Sequence, residues 1–152
     1  MGGVDVRAKE FLNQVRTLDR KIEQRKEELE RLKEKATSVA SSMSDSGRVQ
    51  TTPAADGKTK IVDRYIDLER EIESMVLNLY EKRDEIISTI HELEDRRFVE
   101  LLYMKYIRYM RLEEIACRMK KANGQPYSYM HILDLHGKAL CEIEKIIDRN
   151  QE

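Results

Sequence analysis

The sequence is poor in the residues that fill large globular cores and in those that interrupt helices. It contains no tryptophan, its aromatic fraction is 6%, and its 152 residues include only six glycines and two prolines. Charged residues make up 38% of the chain. This composition is typical of long helices and disfavours a single globular core rich in aromatic side chains. The length suits one or two small domains.

Several kinds of site and segment are also missing. The two cysteines, Cys117 and Cys141, form no CxxC pair and have no histidine at ligand spacing, so we expect two small buried side chains in a reducing cytoplasm. No apolar run approaches the roughly 18 residues that span a bilayer, and the N-terminus has no apolar signal core. Phosphate-binding glycine loops, nucleophile triads and metal-ligand spacings do not occur. We therefore expect no enzymatic activity, no cofactor, no metal and no membrane association.

A heptad pattern of apolar residues begins near the N-terminus. Its positions alternate at spacings of four and three, with Arg25 as the one polar member: Val4, Ala8, Phe11, Val15, Leu18, Ile22, Leu29, Leu32, Ala36, Val39 and Met43. A stripe sustained this long predicts a coiled-coil helix. We place it over residues 5–35 with Asp5 as the N-cap, and expect it to fray near residue 40, where serines accumulate.

A second stripe follows a segment that is broken by glycine and proline. That segment predicts a loop over about residues 41–58. The stripe beyond it has one polar member, Lys82, among Ile61, Tyr65, Leu68, Ile72, Met75, Leu79, Ile86 and Leu93. Two helices of similar length joined by one loop are expected to form an antiparallel coiled-coil hairpin over residues 1–95. A loop centred near residue 51 would place Lys82 opposite Asp19 and Arg20.

Further apolar residues make the second stripe wider than a two-stranded seam requires. They are Val62, Ile66, Val76, Ile87 and Ile90. A wide stripe indicates burial against more than one partner helix. We therefore expect the hairpin to form a homodimer or a higher homo-oligomer.

The pattern changes after Asp95. An apolar face (Phe98, Leu101, Leu102, Tyr106 and Ile107) predicts a helix of about a dozen residues, and a short helix follows over residues 110–119. After a break at 120–126, a final helix is predicted from Tyr127 or Ser128 to about Arg149. A helix, a short helix, a turn and a longer helix form the layout of a helix-turn-helix domain, here residues 96–152.

The two parts of the chain differ in charge. Residues 1–95 hold 17 basic and 21 acidic side chains, whereas residues 96–152 hold 11 basic and 8 acidic ones. This asymmetry permits nucleic-acid contact by the second part.

The C-terminal residues resemble a known family. The run YIRYMRLEEIACRM, followed by SYMHILDLHGKALCEI, is similar to region four of bacterial primary sigma factors and its phage relatives. The chain as a whole resembles small phage proteins that begin with a helix like AKEFLNQVRTLDRKIEQ and end in a sigma-like tail with LHGKAL. Related phage proteins regulate late transcription. The resemblance implies an all-α protein of phage or prophage origin that acts in the cytoplasm of a bacterial host cell as a sequence-specific DNA-binding transcriptional regulator.

The resemblance also implies roles for individual residues. Ile115 and Ala116 would pack against the recognition helix, and the outward N-terminal side chains of that helix would face the major groove. The candidates for contact with base edges are Ser128, Tyr129, His131 and Asp134. The candidates for contact with phosphates are Arg111, Arg118, Lys120, Lys121 and Lys138. The expected partner is double-stranded DNA.

Two other functions stay open at this point. In the first, the protein is an adaptor without DNA specificity of its own, and residues 96–152 bind RNA polymerase. In the second, the protein is a small terminase-like DNA-packaging subunit. Binding to polymerase without a DNA signal would favour the adaptor. A ring of eight or more subunits would favour the packaging subunit.

Overall fold

The computed structural model describes the backbone of residues 2–44 and 53–152 and the side chains of residues 6–38 and 57–152. All regular elements of this part of the chain are helices, with no strand, which confirms the all-α class. Its elements are α1 (Gly2–Ser44), α2 (Pro53–His91), α3 (Arg96–Leu102), a π-helix (Tyr103–Ile107), α4 (Leu112–Arg118) and α5 (Tyr129–Gln151). No helix among these residues is long and apolar enough to cross a membrane.

The two long helices extend further than the sequence pattern predicts. α1 begins at Gly2, so Asp5 lies inside the helix and is not its N-cap, and α1 continues to Ser44. α2 begins at Pro53, and proline suits the first position of a helix because its missing N–H has no partner there. The predicted loop over 41–58 is therefore wrong at both edges, since a serine costs a growing helix only a few tenths of a kcal/mol. Residues 45–52 of that loop lie outside the described residues.

The chain divides into two compact units. One consists of residues 1–17 together with 79–152, and the other of residues 18–78. These units divide the chain at different positions from the predicted boundary between residues 95 and 96. The reason is that apolar side chains near the start of α1 and the end of α2 belong to the same hydrophobic core as α3, α4 and α5.

The heptad stripes predict correctly which side chains are buried. Every stripe position with a described side chain is buried or half-buried, including the polar members Arg25 and Lys82. In the unit of residues 18–78, Arg25 forms an ion pair with Glu71 (Nη2 to Oε1, 3.3 Å). The predicted loop centre near residue 51 would place Arg25 opposite residue 77, which is six residues, or ~9 Å along α2, from its observed partner Glu71. The predicted register was shifted because the helices begin and end at other residues than expected.

The larger unit has a continuous apolar core in which α5 packs on α3 and α4. Its most buried side chains include four of the five residues of the predicted apolar face and residues of α4 and α5: Leu101, Leu102, Tyr106, Ile107, Ile115, Ala116, Met119, Ile132, Leu135, Ala139 and Ile143. The start of α1 is joined to α5 by Arg7, which forms ion pairs with Glu144 (Nε to Oε1, 2.7 Å) and Asp148. These contacts fix α5 so that its other face is left for solvent.

A hydrogen bond crosses this core between two polar side chains. His136 is buried, and its Nε2 lies 2.8 Å from the Tyr106 hydroxyl oxygen. The two rings are nearly parallel, at 21°. Burial raises the pKa of the Tyr106 hydroxyl, so this hydroxyl keeps its proton. The pair links α5 to the π-helix.

Candidate nucleic-acid interface

An ordered turn joins α4 to α5. The Lys121 N–H donates to the Gln125 carbonyl (2.8 Å), and the Gly124 N–H donates to the Lys121 carbonyl (2.9 Å). Lys120 and Pro126 face each other in an isolated antiparallel bridge. Gly124 has φ +85°, a left-handed conformation that glycine adopts without steric cost. The break predicted at residues 120–126 is therefore a hairpin-like turn that fixes the positions of two lysines.

The first turn of α5 is capped and packed against this connection. The Ser128 hydroxyl oxygen is the N-cap and accepts from the His131 N–H (3.1 Å). The half-buried His131 ring lies edge-on to the Tyr127 ring, with 4.9 Å between centroids. The Lys121 ammonium lies 5.8 Å from the centroid of the same Tyr127 ring. Two predicted base-contacting residues, Ser128 and His131, thus help to build the start of the helix.

The outward face of α5 carries apolar side chains near its N-terminus. Met130 is 73% exposed, Tyr129 43% and Leu133 36%. Ile132 and Leu135 are buried on the opposite side of the helix, so Met130 is not part of the core. On the outward face Asp134 forms an ion pair with Lys138 (3.0 Å). The helix therefore presents an apolar tip followed by a neutralised charge pair.

Gly137 lies in the middle of α5 and has no side chain. A Cβ built at this position would meet nothing within 4 Å. Glycine inside a helix costs about 0.5–1 kcal/mol relative to alanine, because the unfolded chain loses more conformational freedom. No packing contact within the described residues requires this glycine. It leaves the backbone of α5 open to close approach.

The basic side chains of residues 105–151 fall into two groups. Residues 105–121 hold six basic and two acidic side chains, and α5 holds three basic and four acidic ones. All three basic residues of α5 are ion-paired: Lys138 with Asp134, Lys145 with Glu142, and Arg149 with Glu92. None of the six in residues 105–121 has an ion-pair partner among the described side chains: Lys105, Arg108, Arg111, Arg118, Lys120 and Lys121. The charge that is available to an external anion lies before α5 and not on it.

Four of the five predicted phosphate-contacting residues lie in residues 105–121, and the fifth lies on α5. Arg111 is the exposed N-cap of α4. Arg118 is the exposed last residue of α4, and its Nη1 lies 3.9 Å from the Met110 sulfur. Lys120 is exposed on the turn, whereas Lys121 is half-buried beneath the cation–π contact with Tyr127. Lys138 differs from these four because it is already paired with Asp134.

Sequence reasoning missed Lys105 and Arg108, which extend the same basic run towards the N-terminus. Arg108 is exposed, and its guanidinium lies 5.5 Å from the Tyr103 ring centroid. Lys105 is half-buried, and its pKa is lowered by burial and then by the charge of Arg16. The high density of basic residues over 105–121 was the signal that pointed to both.

Nothing in the described part of the chain forms a metal site from three or more histidine, cysteine, aspartate or glutamate residues. The two cysteines are free, and both Cys117 and Cys141 are exposed, which corrects the expectation that they are buried. Each occupies a position on its helix next to buried residues, so the apolar pattern did not separate the two cases.

Comparisons with known proteins return no match to a protein-family model, to a curated protein or to a solved structure. The resemblance to sigma region four therefore stays a prediction from the two sequence blocks that carry it.

Proposed function

We propose that the protein is a sequence-specific DNA-binding transcriptional regulator of phage origin, in which α4 and α5 form a sigma region-four-like helix-turn-helix. In this proposal α5 is the recognition helix, and the residues before it bind the DNA backbone. The observation that carries the proposal is the distribution of ion pairs: among the described side chains, the cations of residues 105–121 form no ion pair within 4 Å, whereas those of α5 do.

The unpaired cations suit a polyanion. Exposed basic side chains that are not neutralised internally can replace the counterions of DNA, and each phosphate contact adds about 0.9 to the salt dependence of log K. Six such contacts would set an upper limit near −5 for the slope of log K against log salt concentration. Phosphate contacts of this kind position a protein on the duplex without reading its sequence.

In this proposal the exposed side chains at the N-terminus of α5 recognise the base sequence of the DNA. Tyr129 offers a hydroxyl, and the apolar side chains of Met130 and Leu133 suit contact with thymine methyl groups. The Asp134–Lys138 pair keeps the carboxylate from repelling phosphates. We assign recognition to Tyr129 and Met130 first, because Ser128 and His131 already support the start of the helix.

Self-association is the second part of the proposal. In the unit of residues 18–78, Val62 and Ile66 are 39% and 40% exposed, although they belong to the apolar stripe of α2. We propose that the long helices form a coiled-coil hairpin and that these side chains are covered in a homodimer or higher homo-oligomer. Two copies would then address half-sites about one helical turn apart.

An RNA-polymerase-binding adaptor is the second candidate function. It is favoured by two features of α5, its net charge of −1 and the exposure of Met130 near its N-terminus. An exposed methionine is common on surfaces that bind other proteins. In this case the same face of α5 would contact polymerase, and the cations of residues 105–121 would play no part in binding.

Fluorescence anisotropy with labelled duplexes from the neighbouring phage promoter region distinguishes the two functions. We expect binding of the full chain at micromolar concentration in 50 mM salt, and much weaker binding by an Arg118→Gln/Lys120→Gln double variant. The matched control, Lys145→Gln/Arg149→Gln, removes the same charge from paired positions and should bind like the unmodified chain. Absence of DNA binding together with capture of polymerase core would contradict the regulator and support the adaptor. A mass of eight or more subunits in solution would support the packaging subunit.

A further inference from the structure

Two basic residues of α1 lie on one line of the helix. Lys9 and Arg16 are seven residues apart, which is close to two helical turns, and the exposed Asn13 lies between them on the same line. All three belong to the larger compact unit. Neither basic residue has an ion-pair partner among the described side chains. Arg7, two residues before Lys9, is instead held by Glu144 and Asp148.

This line of α1 meets the segment that begins at the π-helix. The Arg16 guanidinium lies 5.7 Å from the centroid of the Tyr109 ring. Tyr109 has φ +59°, a left-handed conformation that is rare for a residue of its size and costs on the order of 1–3 kcal/mol. The strained backbone thus holds an aromatic ring against a basic side chain of another helix.

Lys105 adds a third cation from the π-helix. Its ammonium lies 5.7 Å from the centroid of the Tyr106 ring and is half-buried. Burial lowers the pKa of Lys105, and the positive charges of Arg16 and Lys9 lower it further. Glu113 is the acidic residue that opposes this effect. Lys105 therefore lies within the electrostatic range of two cations of α1 and of one carboxylate from α4.

Such an arrangement is unfavourable in the isolated chain. Like charges that share a partly buried site repel, and burial of a lysine disfavours its charged form. A bound anion would reverse both effects. A π-helical turn, which also places Lys105 here, is frequent at functional sites.

We propose that Lys9, Arg16 and Lys105 form a second phosphate-binding site, built from α1 and the π-helix, that holds a phosphodiester group of the DNA backbone. This inference depends on the proposed DNA-binding function and extends it to the N-terminal helix. A phosphodiester suits the site because it carries one delocalised charge and accepts hydrogen bonds from guanidinium, ammonium and amide donors. Lys105 is also the first residue of the basic run 105–121, so one strand of DNA would continue from this site onto Arg108 and Arg111.

The test measures the salt dependence of binding to a random-sequence duplex between 50 and 200 mM salt. Lys9→Gln and Arg16→Gln should each lower the magnitude of the log–log slope by about 0.9. If the binding curves converge at 1 M salt, this corresponds to about eightfold weaker binding at 0.1 M. Arg16→Lys keeps the charge and should keep the slope. The control is Arg31→Gln, which removes an exposed cation of the other unit and should change neither quantity.

Lys9→Gln keeps the result interpretable if loss of the Arg16–Tyr109 contact affects folding, because Lys9 is exposed and makes no such contact. Helicity at 222 nm checks each variant. Unchanged slopes in both variants, with normal binding by the unmodified chain, would overturn the inference and leave the proposed function intact. Absence of binding by the unmodified chain would instead contradict the proposed function. Binding to phosphatidylserine vesicles that is stronger than binding to the duplex, and is lost in both variants, would assign the site to lipid headgroups and overturn the DNA assignment.

Discussion

The hydrogen bond between Tyr106 and His136 supports a quantitative prediction about the seating of α5. Both side chains are buried, at 4% and 8% exposure, and the O–N distance is 2.8 Å. Tyr106→Phe keeps the ring and removes only the hydroxyl. The Nε2 atom of His136 then loses this partner in a place that water reaches poorly.

The expected cost follows from that burial. A buried polar atom that loses its partner costs about 1–3 kcal/mol, which is more than the net contribution of an average hydrogen bond. For a chain of this size, each kcal/mol lowers the melting temperature by about 2–4 °C. Tyr106→Phe should therefore lower the free energy of unfolding by about 2 kcal/mol, without loss of helical content.

Urea unfolding followed at 222 nm measures this change, and a double-mutant cycle isolates the pair. His136→Phe removes the other partner, and the Tyr106→Phe/His136→Phe double variant should be destabilised by less than the sum of the two single changes. We expect a coupling free energy of about 1–2 kcal/mol, as for other directly contacting pairs. Single changes that add within about 0.3 kcal/mol, or a Tyr106→Phe effect below about 0.5 kcal/mol, would refute the role assigned to this bond.

Three further predictions concern the same unit. Because burial raises the pKa of the Tyr106 hydroxyl, the folded chain keeps a proton that the unfolded chain loses near pH 10. The contribution of Tyr106 to the free energy of unfolding should therefore be constant below about pH 9 and fall above pH 10. Urea unfolding at a series of pH values measures this fall, and Tyr106→Phe should reduce it. Ser128→Ala removes the N-cap of α5 and should cost about 1 kcal/mol in thermal unfolding, whereas Ser128→Asp should restore it. Gly137→Ala should stabilise the chain by about 0.5–1 kcal/mol and weaken DNA binding, and unchanged affinity would show that no duplex approaches α5 there.

The periodic part of the fold was predictable from sequence, because heptad spacing reports which face of a long helix is buried. The stripes identified Ile22, Leu68 and Ile86 as inward residues, and the structure buries all three. The helix ends were not predictable in this way. The serines at residues 41–44 cost a helix only fractions of a kcal/mol relative to alanine, and the alanines at residues 54–55 favour a helix, so composition alone did not determine where α1 ends and α2 begins. The predicted pairing register of α1 and α2 was wrong for the same reason, because it was calculated from those helix ends.

The candidate site was predictable only in part. The resemblance to sigma region four and their positive charge pointed to Arg111, Arg118 and Lys120, and all three are exposed. The π-helix has no signature in a pattern based on 3.6 residues per turn, so Lys105 was overlooked. Contacts between residues distant in sequence, such as that of Arg16 with Tyr109, were also outside the reach of local patterns. These contacts bring the N-terminal helix to the site.

The salt dependence of DNA binding tests the central claim most directly. The claim is that the unpaired cations of residues 105–121, and not the paired cations of α5, neutralise phosphates. The unmodified chain should give a log–log slope between about −2 and −7, the latter being the limit for the six cations of residues 105–121 together with Lys9 and Arg16. The Arg118→Gln/Lys120→Gln variant should lower its magnitude by about 1.8. Lys145→Gln/Arg149→Gln should leave it unchanged. A slope near zero, or equal losses in the two double variants, would contradict the account.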